Sequence, residues 1–192
     1  MIDAVAGKVD ETTNAVAIRP VRLAHVVVRT NNVLELVEWY TVVFQAESVF
    51  NNGSLAFLYF DDEHHRIVVG KIPNLEEPNH EASGFDHVAF TYKTIGDLLE
   101  TYDRLKAHGI EPYFKIDHGP TTSLYYKDPD GNQIELQVDN FQTREAAHRY
   151  FRSPAFAKNP LGIEIDPDVL LERYRLGEDM ANLLSSGTKG FC

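Results

Sequence analysis

The sequence predicts an α+β protein: two consecutive βαβββ modules forming an open, cupped mixed β-sheet barrel, followed by a helical C-terminal extension. Three observations carry this expectation. A strand, a helix and two or three further strands are patterned once over about residues 20–72 and again over about residues 84–140. Short segments recur in the same order, Leu23-Ala24-His25-Val26 with Phe85-Asp86-His87-Val88, and Phe57-Leu58-Tyr59-Phe60 with Ser123-Leu124-Tyr125-Tyr126. Residues 141–192 match neither copy. Internal repetition is evidence about fold, because a unit of about 50 residues cannot bury its own sheet face and must pack against a second.

Residues 1–19 read as a polar leader with no apolar core long enough for a signal peptide. Leu23 to Val28 is a β-branched run and reads as a strand with His25 at its centre. Asn32 followed by Glu35 has the form of a capping box, and Leu36, Val37, Tyr40, Val43 and Phe44 fall on one helical face. Asn51-Asn52-Gly53 marks a turn, after which Leu55–Phe60 and His65–Val69 read as strands. The prolines and polar residues of 73–83 form a linker. In the second copy, residues 85–90 form a strand. Thr94 with Asp97 caps a helix with Leu98, Tyr102 and Leu105 inward, and Gly109 ends it. Three strands follow, at 112–116, 123–126 and 133–138, the last two joined by the turn Pro129-Asp130-Gly131-Asn132. Beyond 141, Thr143–Phe151 reads as a helix, and Asp166-Pro167 as the cap and first turn of another. This extension is expected to cover the core or to join subunits.

Composition bounds the function. A chain of 192 residues suits one domain, or one domain with an appendage. Its formal charge of −11 argues against nucleic-acid and anionic-membrane partners, which reward basic patches. No apolar stretch is long enough to span a bilayer. The single cysteine, Cys192, can form no intrachain disulfide and rules out a thiolate zinc site, which points to a reducing compartment, the cytoplasm.

His25 and His87 occupy repeat-related places, and Glu135 lies in the last strand of the second copy between Ile134 and Leu136. A lone histidine in an apolar strand is commonly a satisfied core residue. A carboxylate flanked by two aliphatic residues is costly to bury unless it is paired or ligates a cation. If the two copies pair about a pseudo-two-fold axis, two imidazoles and one carboxylate converge. That set leaves one face of a metal open, as in non-haem Fe(II) oxygenases.

The duplicated pattern resembles the vicinal-oxygen-chelate superfamily of glyoxalases, bleomycin-resistance proteins and extradiol dioxygenases over about residues 20–140. Tyr125-Tyr126-Lys127-Asp128-Pro129-Asp130-Gly131-Asn132-Gln133-Ile134-Glu135-Leu136 is similar to its final turn and strand, whose Glu is a metal ligand. Glu63-His64-His65-Arg66-Ile67-Val68-Val69 resembles the His-His strand of type I extradiol dioxygenases. The resemblance implies ring cleavage of a small aromatic diol with O2 as co-substrate, in aromatic hydrocarbon catabolism. It implies Fe(II), with Mn(II) as an alternative, held by His25, His87 and Glu135. It implies His65 as an acid–base residue, Tyr125 as a hydrogen-bond donor ten residues before Glu135, and His118 as a further group on the diol. Other activities of the superfamily stay open: a Mn-dependent thiol transferase of the fosfomycin-resistance type, a glyoxalase or epimerase, or a metal-free drug-binding protein. A homo-oligomer is expected, because small single-module enzymes gain closure by pairing.

Overall fold

The computed structural model describes residues 18–76, 78–79, 81–179 and 183–184. Most of the expected leader, part of the C-terminal extension and Cys192 lie outside the described residues. Each repeat forms its own sheet. In the first, β1 (Val26–Thr30), α1 (Val33–Phe44), β2 (Glu47–Asn51), β3 (Leu55–Tyr59) and β4 (Ile67–Lys71) make a four-stranded sheet ordered β1-β4-β3-β2. In the second, β5 (His87–Tyr92), α2 (Ile95–Ala107), β6 (Phe114–Asp117), β7 (Thr121–Lys127) and β8 (Gln133–Asp139) repeat that order as β5-β8-β7-β6. The extension then adds α3 (Arg144–Phe151), α4 (Pro154–Lys158), β9 (Ile163–Glu164) and α5 (Pro167–Arg175), with β9 paired to the outer edge of β6.

The duplication holds at the level of register. β1 runs parallel to β4 and β5 parallel to β8, while β3–β4 and β7–β8 are antiparallel. Val26 pairs with Ile67 as Val88 pairs with Ile134. Val27 therefore corresponds to Ala89, and Val68 takes the place in the first sheet that Glu135 takes in the second. The cupped barrel is open, and the two sheets share no strand.

Alternation sends Val26, Val28, Ile67 and Val69 of the first sheet, and Val88, Phe90, Ile134, Leu136 and Val138 of the second, to the faces that carry the helices. There they join Leu36, Tyr40 and Val43 of α1 and Leu98, Leu99, Tyr102 and Leu105 of α2 in one apolar core. The opposite faces carry the chemistry-bearing residues. Two polar ties lock the modules together. The Tyr40 hydroxyl donates to the Asp128 carboxylate at 2.9 Å, and Arg104 on α2 donates to the Val42 and Val43 carbonyls, which the end of α1 leaves unsatisfied.

Several local expectations change. His25 stands one residue before β1 and not at a strand centre. Asn32 precedes α1, but its side chain makes no capping bond to backbone; its amide donates to the Glu35 carboxylate at 2.5 Å. Thr94 and Asp97, in contrast, form the full capping box of α2. β2 was not legible because all five of its residues are exposed and its ladder carries a bulge between Ser48 and Phe50, so no inward alternation marks it. α4 and β9 are too short to leave a periodic signal. α5 docks on α2, where Arg175 pairs with Glu100 and Asp103 and Lys106 pairs with Asp168. Gly96 leaves the room that the Tyr174 ring occupies; a Cβ there would overlap it.

Candidate active site

The second sheet gathers one group of polar side chains on its open face. His87 opens β5, Tyr125 lies on β7 and Glu135 on β8, all on the face opposite the core. The Glu135 carboxylate is 5% exposed, and its Oε2 lies 3.0 Å from Nε2 of His87. Nδ1 of the same imidazole lies 2.5 Å from the Asp86 carboxylate. A neutral His87 that donates its one proton to Asp86 turns a lone pair toward Glu135. The contact at 3.0 Å is a hydrogen-bonded ion pair when the imidazole carries both protons, and two lone pairs that a cation could bridge when its one proton is given to Asp86.

Tyr125 extends this group. Its ring meets that of His87 edge-on at 5.2 Å, and its hydroxyl lies 3.0 Å from Nε2 of His118. Burial first, and then the Glu135 charge, raise the Tyr125 phenol above its ordinary pKa, so it remains a protonated donor. His118 is oriented from the extension: Nδ1 donates to the Leu161 carbonyl at 2.6 Å, leaving Nε2 to accept from Tyr125. Gly162 sits at φ +106 against the Asp117 carbonyl, a contact that any Cβ would forbid. Tyr125, Glu135, Gln137 and His118 line a recess of about 270 Å3 whose outer wall is Phe151, Phe156 and Pro160.

The first sheet carries a second group. The His65 ring packs tilted against that of His25, with centroids 4.6 Å apart and 33° between the planes, and meets Phe57 edge-on at 5.1 Å. His64 points outward, with 76% of its side chain exposed, so His65 is the member of the pair that joins His25. Desolvation, followed by the neighbouring His64 and His25, lowers the His65 pKa from its ordinary value, against an opposing pull from Glu63. Arg66 holds the segment that carries His25. Its guanidinium donates to the Leu23 and Ala24 carbonyls and pairs with Asp61 at 2.8 Å.

The expected site is therefore divided. His87, Glu135, Tyr125 and His118 come together, and His25 and His65 come together. Among the described residues, no three histidine, cysteine, aspartate or glutamate side chains meet in a way that could hold a metal. His25, His87 and Glu135 are not found as one metal-holding group among the described residues. The larger cavity, about 860 Å3 between β1, β5 and the linker, contains no histidine and does not reach Glu135. Sequence reasoning missed Asp86, Leu161, Arg66 and the aromatic wall. Asp86, adjacent to His87, carried a usable signal; the others are brought in by tertiary contacts.

The chain matches the model of the Glyoxalase/Bleomycin resistance protein/Dioxygenase superfamily over residues 22–136. It is 44% identical over 157 residues to biphenyl-2,3-diol 1,2-dioxygenase 2 of Rhodococcus globerulus, covering 81% of this chain and 83% of that protein. It is 42% identical to biphenyl-2,3-diol 1,2-dioxygenase 3 of the same organism, with the same coverage of both chains. Among solved structures, it is similar to the genomically encoded fosfomycin resistance protein FosX of Listeria monocytogenes. That likeness has a TM-score of 0.52 at 21% identity and covers 70% of this chain and 100% of the other; it concerns the fold alone.

Proposed function

The chain belongs to the glyoxalase/bleomycin resistance protein/dioxygenase superfamily, and we propose that within it the protein opens the ring of a catechol-type aromatic diol beside its two hydroxyls, using O2 and Fe(II). It is an extradiol dioxygenase; what is proposed is the metal, the substrate class and the residues that act. The observation that carries this reading is His87 and Glu135 facing each other at 3.0 Å, with Glu135, Tyr125 and His118 together lining one recess.

We assign His25, His87 and Glu135 as metal donors, two imidazoles and one carboxylate that leave room for a bidentate diol and a gas molecule. Mn(II) accepts the same donors. Bound there, the ion would lower the pKa of the diol and bring it together with O2. The described residues of one chain bring together two of these donors, His87 and Glu135.

The side chains have definite tasks. Asp86 keeps His87 in the tautomer whose Nε2 faces the site. Tyr125, held as a phenol, donates to an oxygen that gains negative charge. In the free site His118, its Nδ1 proton committed to Leu161, accepts the one Tyr125 proton through Nε2; Tyr125 would give up that bond to turn the same proton toward the substrate oxygen. The lowered pKa of His65 suits it to take a proton from a diol hydroxyl and return it later. Phe151 and Phe156 offer ring faces to an aromatic substrate. A glyoxalase or epimerase needing a second carboxylate from the repeat-related place would find Val68 there.

The experiment is a screen of catechols against anaerobically iron-loaded protein, following oxygen uptake and the yellow ring-fission product. Absence of both across one-ring and two-ring diols, in protein that holds iron, would sink the reading. Within it, His65→Phe is expected to retain iron and lose most turnover; loss of iron from that variant would make His65 a ligand.

A further inference from the structure

Resting on that reading, we infer that the C-terminal extension selects diols that carry a second aromatic ring. The ring rests on Phe151, Phe156 and Pro160, and the turn of residues 159–162 passes that contact to His118, so the second ring speeds the chemical step as well as tightening binding.

Three observations lead here. The first is how the recess is divided. Its inner wall holds Glu135, Tyr125 and His118, the groups assigned to the chemistry, whereas its outer wall comes from the extension and is Phe151, Phe156 and Pro160, with no polar side chain. A flat apolar wall beside a diol site suits a second ring. The second is that this wall is anchored. Phe156 meets Phe151 edge-on at 5.0 Å and Tyr150 edge-on at 5.8 Å, and Tyr150 packs against Phe141 at 5.5 Å. Tyr150 is buried and fills the space that Gly119 leaves, so the wall leans on the residue next to His118. The third is the turn. The Asn159 side chain closes it, donating to the Gly162 carbonyl at 2.7 Å and accepting from the Gly162 N–H at 3.2 Å. Pro160 lines the recess, and the next residue, Leu161, presents the carbonyl that takes the Nδ1 proton of His118 at 2.6 Å. One short turn therefore touches both the place of the second ring and the imidazole that meets the Tyr125 hydroxyl.

The turn is lightly held. α4 before it has five residues, none of them buried, β9 after it has two, and Leu161 is 75% exposed. Segments with few buried apolar contacts open readily. A ring against Phe156 and Pro160 adds apolar contact while the turn is docked and loses it when the turn opens. It therefore favours the docked state by that difference in contact, as any ligand shifts a two-state equilibrium. A diol without the second ring makes no such contact and leaves the turn as it stands in the empty site. Binding energy from the part of the substrate that does not react is thereby used to orient groups at the part that does. Asn159 is on this account a positioning residue, acting through Leu161 on His118.

The test compares biphenyl-2,3-diol with 3-methylcatechol on the iron-loaded full chain. It reads the single-turnover rate of ring cleavage by product absorbance and Kd by anaerobic titration. In the wild type the two-ring diol is expected to react faster by about tenfold to a hundredfold, the scale on which misplacing a group at the reacting centre costs rate. Asn159→Ala frees the turn and leaves the aromatic wall. The two-ring diol should then keep its advantage in Kd, while the ratio of the two rates falls toward one. Asn159→Asp keeps an acceptor for the Gly162 N–H and should recover part of that ratio. Phe156→Ala should lower the advantage in Kd and in rate together. Equal single-turnover rates for the two diols in the wild type would overturn the inference, as would a rate ratio untouched by Asn159→Ala. In either case ring cleavage is present and the dioxygenase reading stands, whereas iron-loaded wild type that cleaves neither diol would overturn both.

Discussion

Replacing Asp128 by alanine tests how the repeat's final turn sets up the site. Asp128 is 4% exposed and accepts four hydrogen bonds. Its Oδ1 takes the backbone N–H groups of Asp130 at 3.0 Å and Asn132 at 2.8 Å; its Oδ2 takes the Asn132 amide and the Tyr40 hydroxyl, both at 2.9 Å. Three of these shape the turn between β7 and β8, whose register sets Tyr125 opposite Glu135. The fourth crosses to α1. Bonds to a charged acceptor contribute about 1.5–3 kcal/mol each, but such terms within one network do not add. Two considerations lower the sum. Burial already raises the Asp128 pKa, so its charge costs something to hold, and the turn amides can reach water once the side chain is gone. The net loss should be about 3 kcal/mol, most of it from Tyr40, which at 2% exposure loses its partner. For a chain of this size, that lowers Tm by about 6–12 °C. Thermal unfolding followed by circular dichroism reads it directly, and a fall of less than about 2 °C would refute the account. The pH dependence has a definite sign. A carboxyl with a raised folded-state pKa keeps its proton in the fold to higher pH than in the unfolded chain, so its contribution weakens as pH rises from the ordinary aspartate range through the folded value. Asp128→Asn removes that slope, and its stability deficit should be largest at acid pH and narrow upward.

Tyr125→Phe should retain iron and slow turnover by about ten- to a thousandfold, the range for removing one positioned donor; wild-type turnover would reduce Tyr125 to packing. Gly162→Ala puts a Cβ into the Asp117 carbonyl and should draw Leu161 away from His118, lowering turnover without stripping metal; unchanged kinetics would mean that His118 needs no partner from the extension. Phe151→Ala with Phe156→Ala opens the recess wall and should raise KM for two-ring diols more than for one-ring diols; equal effects would place the second ring elsewhere.

What the sequence determined alone was the architecture and the family; the residues assigned to the chemistry are proposals drawn from it. The repeat was legible because inward alternation and helical periodicity report burial, and burial is a local pattern: Ile134 and Leu136 flank Glu135 on the core side, as read. β2 escaped because an exposed, bulged edge strand buries nothing in an alternating way. Asp86 could have been found beside His87. Leu161 could not, since its carbonyl reaches His118 only because β9 joins the edge of β6. Tertiary structure alone decided which residues meet. Repeat symmetry says that His25 and His87 are equivalent; it does not say whether equivalent places converge or lie apart. That depends on how two sheets pack around one shared core, and here the Tyr40–Asp128 bond and the joint cluster of α1 and α2 hold the modules with His25 beside His65 and away from Glu135.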